Sequence, residues 1–343
     1  MAYSTVDKAS LFQNNVLYTG TGGVQTISGV GFEPDFTWCK DRTNSYDHVW
    51  FDQVRGATER ISSNTTGAES TQVNDLTAWN SDGFVVGSGS NINNNTNLFV
   101  SWNWKMGTTS GLTGGTITPS SYSINTTARQ GIYKRTGTAS AGTITHGLGG
   151  TPKMIITKNL SSTSNWRVYH VALGGNNGIN LNETAGDYTD ANLWNGTDPT
   201  DTVYSIGSSN DTNTSGDEYI DYVFCDVTGY SHFGKYYGND NDDGPFLFTG
   251  FKPSLLFYKR YQTSGKPWII IDNKRDGYNR NNDQLVIDQN GAEFDNNHVD
   301  ILSNGFKIRT SSQDANNPAG QQYLYAAFGQ PMVAGSNIAA TGR

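Results

Sequence analysis

The chain has 343 residues, a formal net charge of −8 and only 16 % charged residues, so its polarity comes from Gly, Asn, Ser and Thr rather than from ions. No basic stripe or Lys/Arg run is present to attract nucleic acid. The scarcity of strong helix formers, set against 12 % aromatics, excludes both a helical bundle and a low-complexity disordered chain.

Read in chain order, one pattern occurs three times. The polar N-terminus MAYSTVDKAS has no secretory character and leads to an opening segment, VLYTGTG (16–22). A proline then introduces a strand ending in lysine, GFEPDFTWCK (31–40). A second strand follows, HVWFDQVR (48–55), then Ala68-Glu69, then SDGFVVGS (81–88), and the copy closes on NLFVSWNWK (97–105). The second copy has GIYKRTGT (131–138), GLGGTPKMIITK (147–158), NWRVYHVAL (165–173), TVYSIGSS (202–209) and DEYIDYVFC (217–225). The third has KYYGND (235–240), GFKPSLLFYK (250–259), PWIIIDNKR (267–275), Ala292-Glu293, SNGFKIRT (303–310) and QQYLYAAFG (321–329). Proline and lysine are six apart each time: Pro34 and Lys40, Pro152 and Lys158, Pro253 and Lys259.

This pattern implies an all-β chain of three repeated antiparallel units, β-sandwich or jelly-roll-like, packed side by side. The expected limits are 1–118, 119–228 and 229–331, with a polar tail at 332–343. In the closing strands Phe99, Ser101 and Asn103 alternate with Val100, Trp102 and Trp104. Tyr219, Asp221 and Val223 alternate with Ile220, Tyr222 and Phe224 in the same way. Period two predicts one buried and one exposed face. TARQGIY (127–133) is the nearest approach to a helical period, and no apolar run has the length of a membrane span.

Few residues suggest chemistry. Asp52 with Arg55 and Asp272 with Arg275 share the spacing Asp-x-x-Arg, which the middle copy lacks. Their repetition favours structural pairs over a catalytic carboxylate, because an active site is rarely written twice in one chain. The histidines at 48, 146, 170, 232 and 298 sit in no metal or triad motif. Residues 239–244, NDNDDG, resemble the start of a calcium loop, but Gly250 stands where a bidentate acid belongs, so a tight acidic turn is expected. Cys39 and Cys225, far apart in apolar stretches, read as buried thiols or as a disulfide. Trp79 and Trp194, in LTAWNSDG and ANLWNGTD, are the candidates for exposed contact. GTGG and GLGG precede no helix, so no nucleotide cradle is expected. No cofactor is expected.

The motifs YTGTG, GFEPDFTWCKDR, HVWFDQVRGATERISSNTTGAE, FVSWNWK, HGLGGTPKMIITK, GFKPSLLFYKR, WIIIDNKR and the ending AATGR together resemble a family of phage-encoded, β-rich proteins of virion or tail-fibre-like type, found in marine phages. The likeness spans about residues 16–331. It implies a non-enzymatic structural protein of a bacteriophage virion, a head decoration or tail-fibre component that contacts the host surface. It also implies synthesis in the host cytoplasm, other capsid or tail subunits as partners, and multiple copies or homo-oligomers in the particle. The alternatives are a lectin-like module that recognises host glycans and a glycan-degrading enzyme. Neither nucleic acid nor membrane is an expected partner.

Overall fold

A computed structural model describes residues 4–333 apart from 277, 278, 280, 313 and 317. The polar tail from residue 334 onward, and the side chain of His298, lie outside the described residues. The chain is all-β and sandwich-like, with antiparallel pairing throughout and only single-turn helices between strands.

The three largest sheets repeat one strand order. In unit 1 the opening strand (Gln13–Thr19) pairs with the closing strand (Leu98–Trp104). The lysine strand (Phe36–Asp41) follows, then the second strand (Val49–Asp52) and the third (Glu59–Ser62). Unit 2 lays Gln130–Thr136, Glu218–Cys225, Pro152–Asn159, Arg167–His170 and Asn177–Asn180 in that order, and unit 3 lays Ser231–Tyr237, Gln322–Pro331, Phe251–Arg260, Trp268–Asp272 and Asn281–Val286. The three Pro-to-Lys segments therefore occupy equivalent places.

The units are not independent sandwiches set side by side. Each large sheet turns one face to a single interior shared by all three units. Its other face meets an outer layer of its own unit, built on the segments Gly83–Val86, Val203–Ile206 and Gly305–Ile308, which is a separate small sheet in units 1 and 2 and the far end of the same eight-stranded sheet in unit 3. Separate apolar clusters fill these outer layers. The closing strands are consequently buried on both faces, contrary to the alternation expectation: Val100, Trp102 and Trp104 enter the shared interior, while Ser101 and Asn103 are buried beneath the outer layer. Period two marks two environments, and here the second is another protein layer rather than water. Asn103 Nδ2 donates to Ser101 Oγ at 3.0 Å and to Asn14 O at 3.2 Å, which partners the buried amide N–H groups and the hydroxyl.

The centre of the interior is marked by equivalent closing-strand residues. Trp104, Phe224 and Phe328 contact one another pairwise at ring-centroid distances of 6.2, 5.8 and 5.5 Å. Trp50 adds edge contacts to Trp166 and Tyr222 across the junction of units 1 and 2. Such aromatic pairs contribute roughly 0.5–1.5 kcal/mol each beyond area burial.

Two further devices repeat. At the end of each opening strand a glycine (Gly20, Gly137, Gly238) packs on the backbone of the segment before the closing strand, leaving no space for a Cβ. A buried asparagine in that segment bolts it down. Asn93 accepts from Thr21 N and donates to Gly87 O. Asn213 accepts from Thr138 N and donates to Gly207 O, and Asn316 accepts from Asn239 N and donates to Asn241 O. One residue earlier, the carbonyls of Ile92, Thr212 and Ala315 accept from Tyr18, Arg135 and Tyr236 of the opening strands.

A Cβ on Gly20 would lie 2.1 Å from Asn94 O. Gly20→Ala should therefore destabilise the protein by roughly 1–3 kcal/mol, while Gly23→Ala, with nothing within 4 Å, should be nearly neutral. Urea unfolding of the two variants checks this.

Candidate functional site

The densest buried polar chemistry lies at the three seams between units, and it begins with the repeated lysine. Each lysine side chain is fully buried. Lys40 of unit 1 donates to Asn290 O of unit 3 at 3.2 Å. Lys158 of unit 2 donates to Thr66 O of unit 1, and Lys259 of unit 3 to Glu183 O of unit 2, both at 2.9 Å. The set is cyclic, each unit holding the one before it.

A second ring runs beside the first. Equivalent residues at the head of the second strands donate to equivalent third-strand carbonyls: Trp166 Nε1 to Ser62 O, Trp268 Nε1 to Asn180 O and His48 Nε2 to Val286 O. Backbone bonds close each seam from the other side: Glu69 N to Leu160 O, Asp187 N to Tyr261 O and Glu293 N to Arg42 O. Arg42 adds an ion pair of 2.6 Å with Glu293 at the seam joining the first and last thirds.

Burial pushes Lys40, Lys158 and Lys259 each down to about 8, since a desolvated ammonium is penalised. Burial also holds His48 well below its ordinary value and takes His170 to about 4. His48 Nε2–H then donates to Val286 O while Nδ1 accepts from Trp38 Nε1 at 3.0 Å, which fixes a neutral tautomer.

The Asp-x-x-Arg pairs stand at the same seams. Arg55 Nε lies 2.6 Å from Asp52 Oδ2 and its Nη1 3.1 Å from Glu69; Arg275 Nε lies 2.5 Å from Asp272 Oδ2 and its Nη1 3.0 Å from Glu293. Both pairs are fully buried, and each arginine also donates to a backbone carbonyl, Trp50 O or Ile270 O. Burial alone would raise the Asp272 carboxyl, but the Arg275 guanidinium and the backbone N–H groups of Lys274 and Arg275 hold it below the usual carboxylate range.

Why the middle unit lacks this pair follows from its neighbour. Asp52 accepts a hydrogen bond from Tyr222 of unit 2, and Asp272 one from Trp102 of unit 1. The equivalent partner of the middle unit, in unit 3, is Ala326, which has no donor. There the acid is replaced by His170, whose Nε2 donates 3.1 Å to the neighbouring Tyr325 O, while Nδ1 accepts from Ala172 N.

The tryptophans proposed for exposed contact fare differently. Trp194 is 1 % exposed and packs edge-on against Tyr169 inside the unit 2 outer layer, so it is a core residue. The polar flanks of ANLWNGTD lie in turns that fold over the indole. Trp79 lies on a strand (Leu76–Asn80) rather than in a loop. It is half-buried against the unit 1 outer cluster and donates weakly to Thr37 Oγ1. The two do not form one surface feature.

Cys39 and Cys225 are free and buried. The acidic 239–244 segment is a turn whose side chains serve local bonds: Asn239 and Asn241 accept from Asn241 N and Asp243 N, and Asp243 pairs with Lys307. A cleft of about 290 Å³ opens where units 1 and 2 meet, lined by Asp35, Gln53 and the Ser120–Ser123 segment. Burial raises the Asp35 carboxyl, offset in part by bonds from Ser123 Oγ and Met106 N. No helix among the described residues is long and apolar enough to cross a membrane.

Residues 8–331 match the family described as a domain of unknown function, DUF7483, and the chain belongs to that family. No curated protein matches the chain.

The seam chemistry makes two tests available. Lys158→Met removes the donor to Thr66 O and Ser164 O and should cost roughly 1–3 kcal/mol at pH 7. Between about pH 8 and 10.5 folded Lys158 has released its proton while the unfolded chain keeps it, so its contribution to stability rises with pH across that window. The variant should lack this share of the rise, as urea midpoints at pH 8 and 10 will measure. His170→Asp copies the residue of the other two units, yet it should destabilise by about 3–5 kcal/mol, because an unpaired carboxylate would face the Tyr325 carbonyl. Thermal and urea unfolding of that variant provide the check.

Proposed function

We propose that this chain is a non-enzymatic structural component of a bacteriophage particle, a head decoration or part of a tail fibre, present in multiple copies and contacting other virion subunits. The observation that supports it best is the cyclic interlock. Three units are tied to one another by buried lysines and share one apolar interior, which is the construction of a rigid block rather than of hinged domains. A rigid block loses little conformational freedom on joining an assembly, so weak contacts at its loops and edges suffice when copies are many. The sequence resemblance points the same way. A glycan-recognising role would use the polar cleft at the junction of units 1 and 2, and it has lost Trp194 as a contact residue.

Quantitative mass spectrometry of gradient-purified particles of the encoding phage, with immunogold labelling of intact particles, tests the proposal. The expected result is a stoichiometric signal in several copies at a fixed position on the head or tail. A chain present in infected cells but absent from purified particles overturns it.

A further inference from the structure

The repeat supplies an internal comparison for every surface position, and one position breaks ranks. Each outer layer has an edge strand paired on one side with the segment that follows the Gly turn. In unit 1 it is Gln25–Ile27, with Ile27 opposite Phe84. In unit 2 it is Gly142–Thr145, with Ile144 opposite Tyr204, and in unit 3 it is Phe246–Phe248, with Leu247 opposite Phe306. The inward residue is aliphatic in all three.

The outward neighbours differ. Unit 1 has Thr26 and Ser28, and unit 2 has Thr143 and Thr145, whereas unit 3 has Phe246 and Phe248, which are 46 % and 58 % exposed. Two units of the same fold manage with hydroxyls here, so the phenylalanines answer no requirement of folding. The edges differ too. In unit 2 the outer side is covered by Gly115–Ile117, with Thr116 N and Ile117 N donating to Thr143 O. Unit 1 leaves its edge polar. In unit 3, Phe246–Phe248 ends the sheet order, and among the described residues no strand pairs with its outer side. An uncovered apolar edge is a template for another strand.

We infer that Phe246–Phe248 is a self-association edge, pairing antiparallel with the same strand of a second copy of this chain. The side-chain order favours a second copy over an unrelated strand. Phe-Leu-Phe reads the same in both directions, so a two-fold axis through Leu247 sets each Phe246 opposite the other copy's Phe248 and the two Leu247 residues opposite each other. Both aromatic pairs then lie on the outward face as cross-strand neighbours. The two sheets join into one continuous sheet, and the carbonyl at position 246, equivalent to the one covered in unit 2, gains a donor. A three-residue edge buries far less than the ~1,200 Å² of a stable dimer, so the pairing is weak in solution and effective where copies are held together.

The test replaces the phenylalanines by the residues of the sibling units, Phe246→Thr with Phe248→Ser, in the full chain. Sedimentation velocity from about 10 µM to about 1 mM should show concentration-dependent dimers for the wild type. The double variant should associate at least about tenfold more weakly with an unchanged melting temperature. Hydrogen exchange on the wild type alone should show protection at 246–248 rising with concentration. A wild type that stays monomeric throughout, dimers that persist in the variant, or protection that rises elsewhere overturns the inference. None of these outcomes bears on whether the chain is found in a particle.

Discussion

Everything in this molecule depends on three sheets burying one face against each other rather than each against a private partner. With aromatic residues such as Trp104, Phe224 and Phe328 meeting at the centre, no unit can leave without exposing the faces of the other two. Apolar burial of this kind has no direction of its own, and sheets could slide over it. The buried lysine, indole and backbone bonds at each seam supply the missing direction, because each has one correct register. The lysines are the costly part: an ammonium kept from water is tolerated only where carbonyls surround it, which is why each one reaches a neighbouring unit and a carbonyl of its own loop.

Divergence among the units is instructive for the same reason. The aspartates at 52 and 272 and the histidine at 170 share a place, yet each suits what the adjoining closing strand offers: a tyrosine hydroxyl, an indole N–H or a bare carbonyl. The identity of one residue is thus set across a seam, by a partner about 150 to 170 positions away in sequence. Templates of this sort keep their geometry while their polar groups change in matched sets.

Much of the fold was legible because strand signals are local. The Pro-to-Lys runs, the aromatic closers and the Gly turns all fall on strands or hairpins at the expected places. What stayed hidden was which second layer each face would meet. Ser101 and Asn103 read as solvent-facing because polar residues on alternate positions usually are, and only the outer sheet, brought in by distant segments, makes them interior. Trp194 misled in the same way, since its Asn, Gly and Asp neighbours describe the turn around it and not the indole within. The lysine is visible in the sequence as a spacing but not as a bond, because its partner lies in another unit. The asparagine bolt did leave a trace, in VVGSGSNINNN (85–95) and SIGSSNDTN (205–213), where a shared Gly-Ser start precedes an Asn six residues after the glycine. That trace is short and polar, and it resembles any other loop until its hydrogen bonds are seen.

The seam between the last third and the first has a bearing on how the protein is made. Lys40, His48 and Arg42 find partners in the last third of the chain, at Asn290, Val286 and Glu293, and Ala9 N finds its own at Gln330 Oε1. A chain emerging from the ribosome therefore carries its tryptophan-rich first sheet for most of its synthesis with one flank bare. Closure of the ring waits for nearly the final strand, and until then the nascent polypeptide is a natural client for a chaperone.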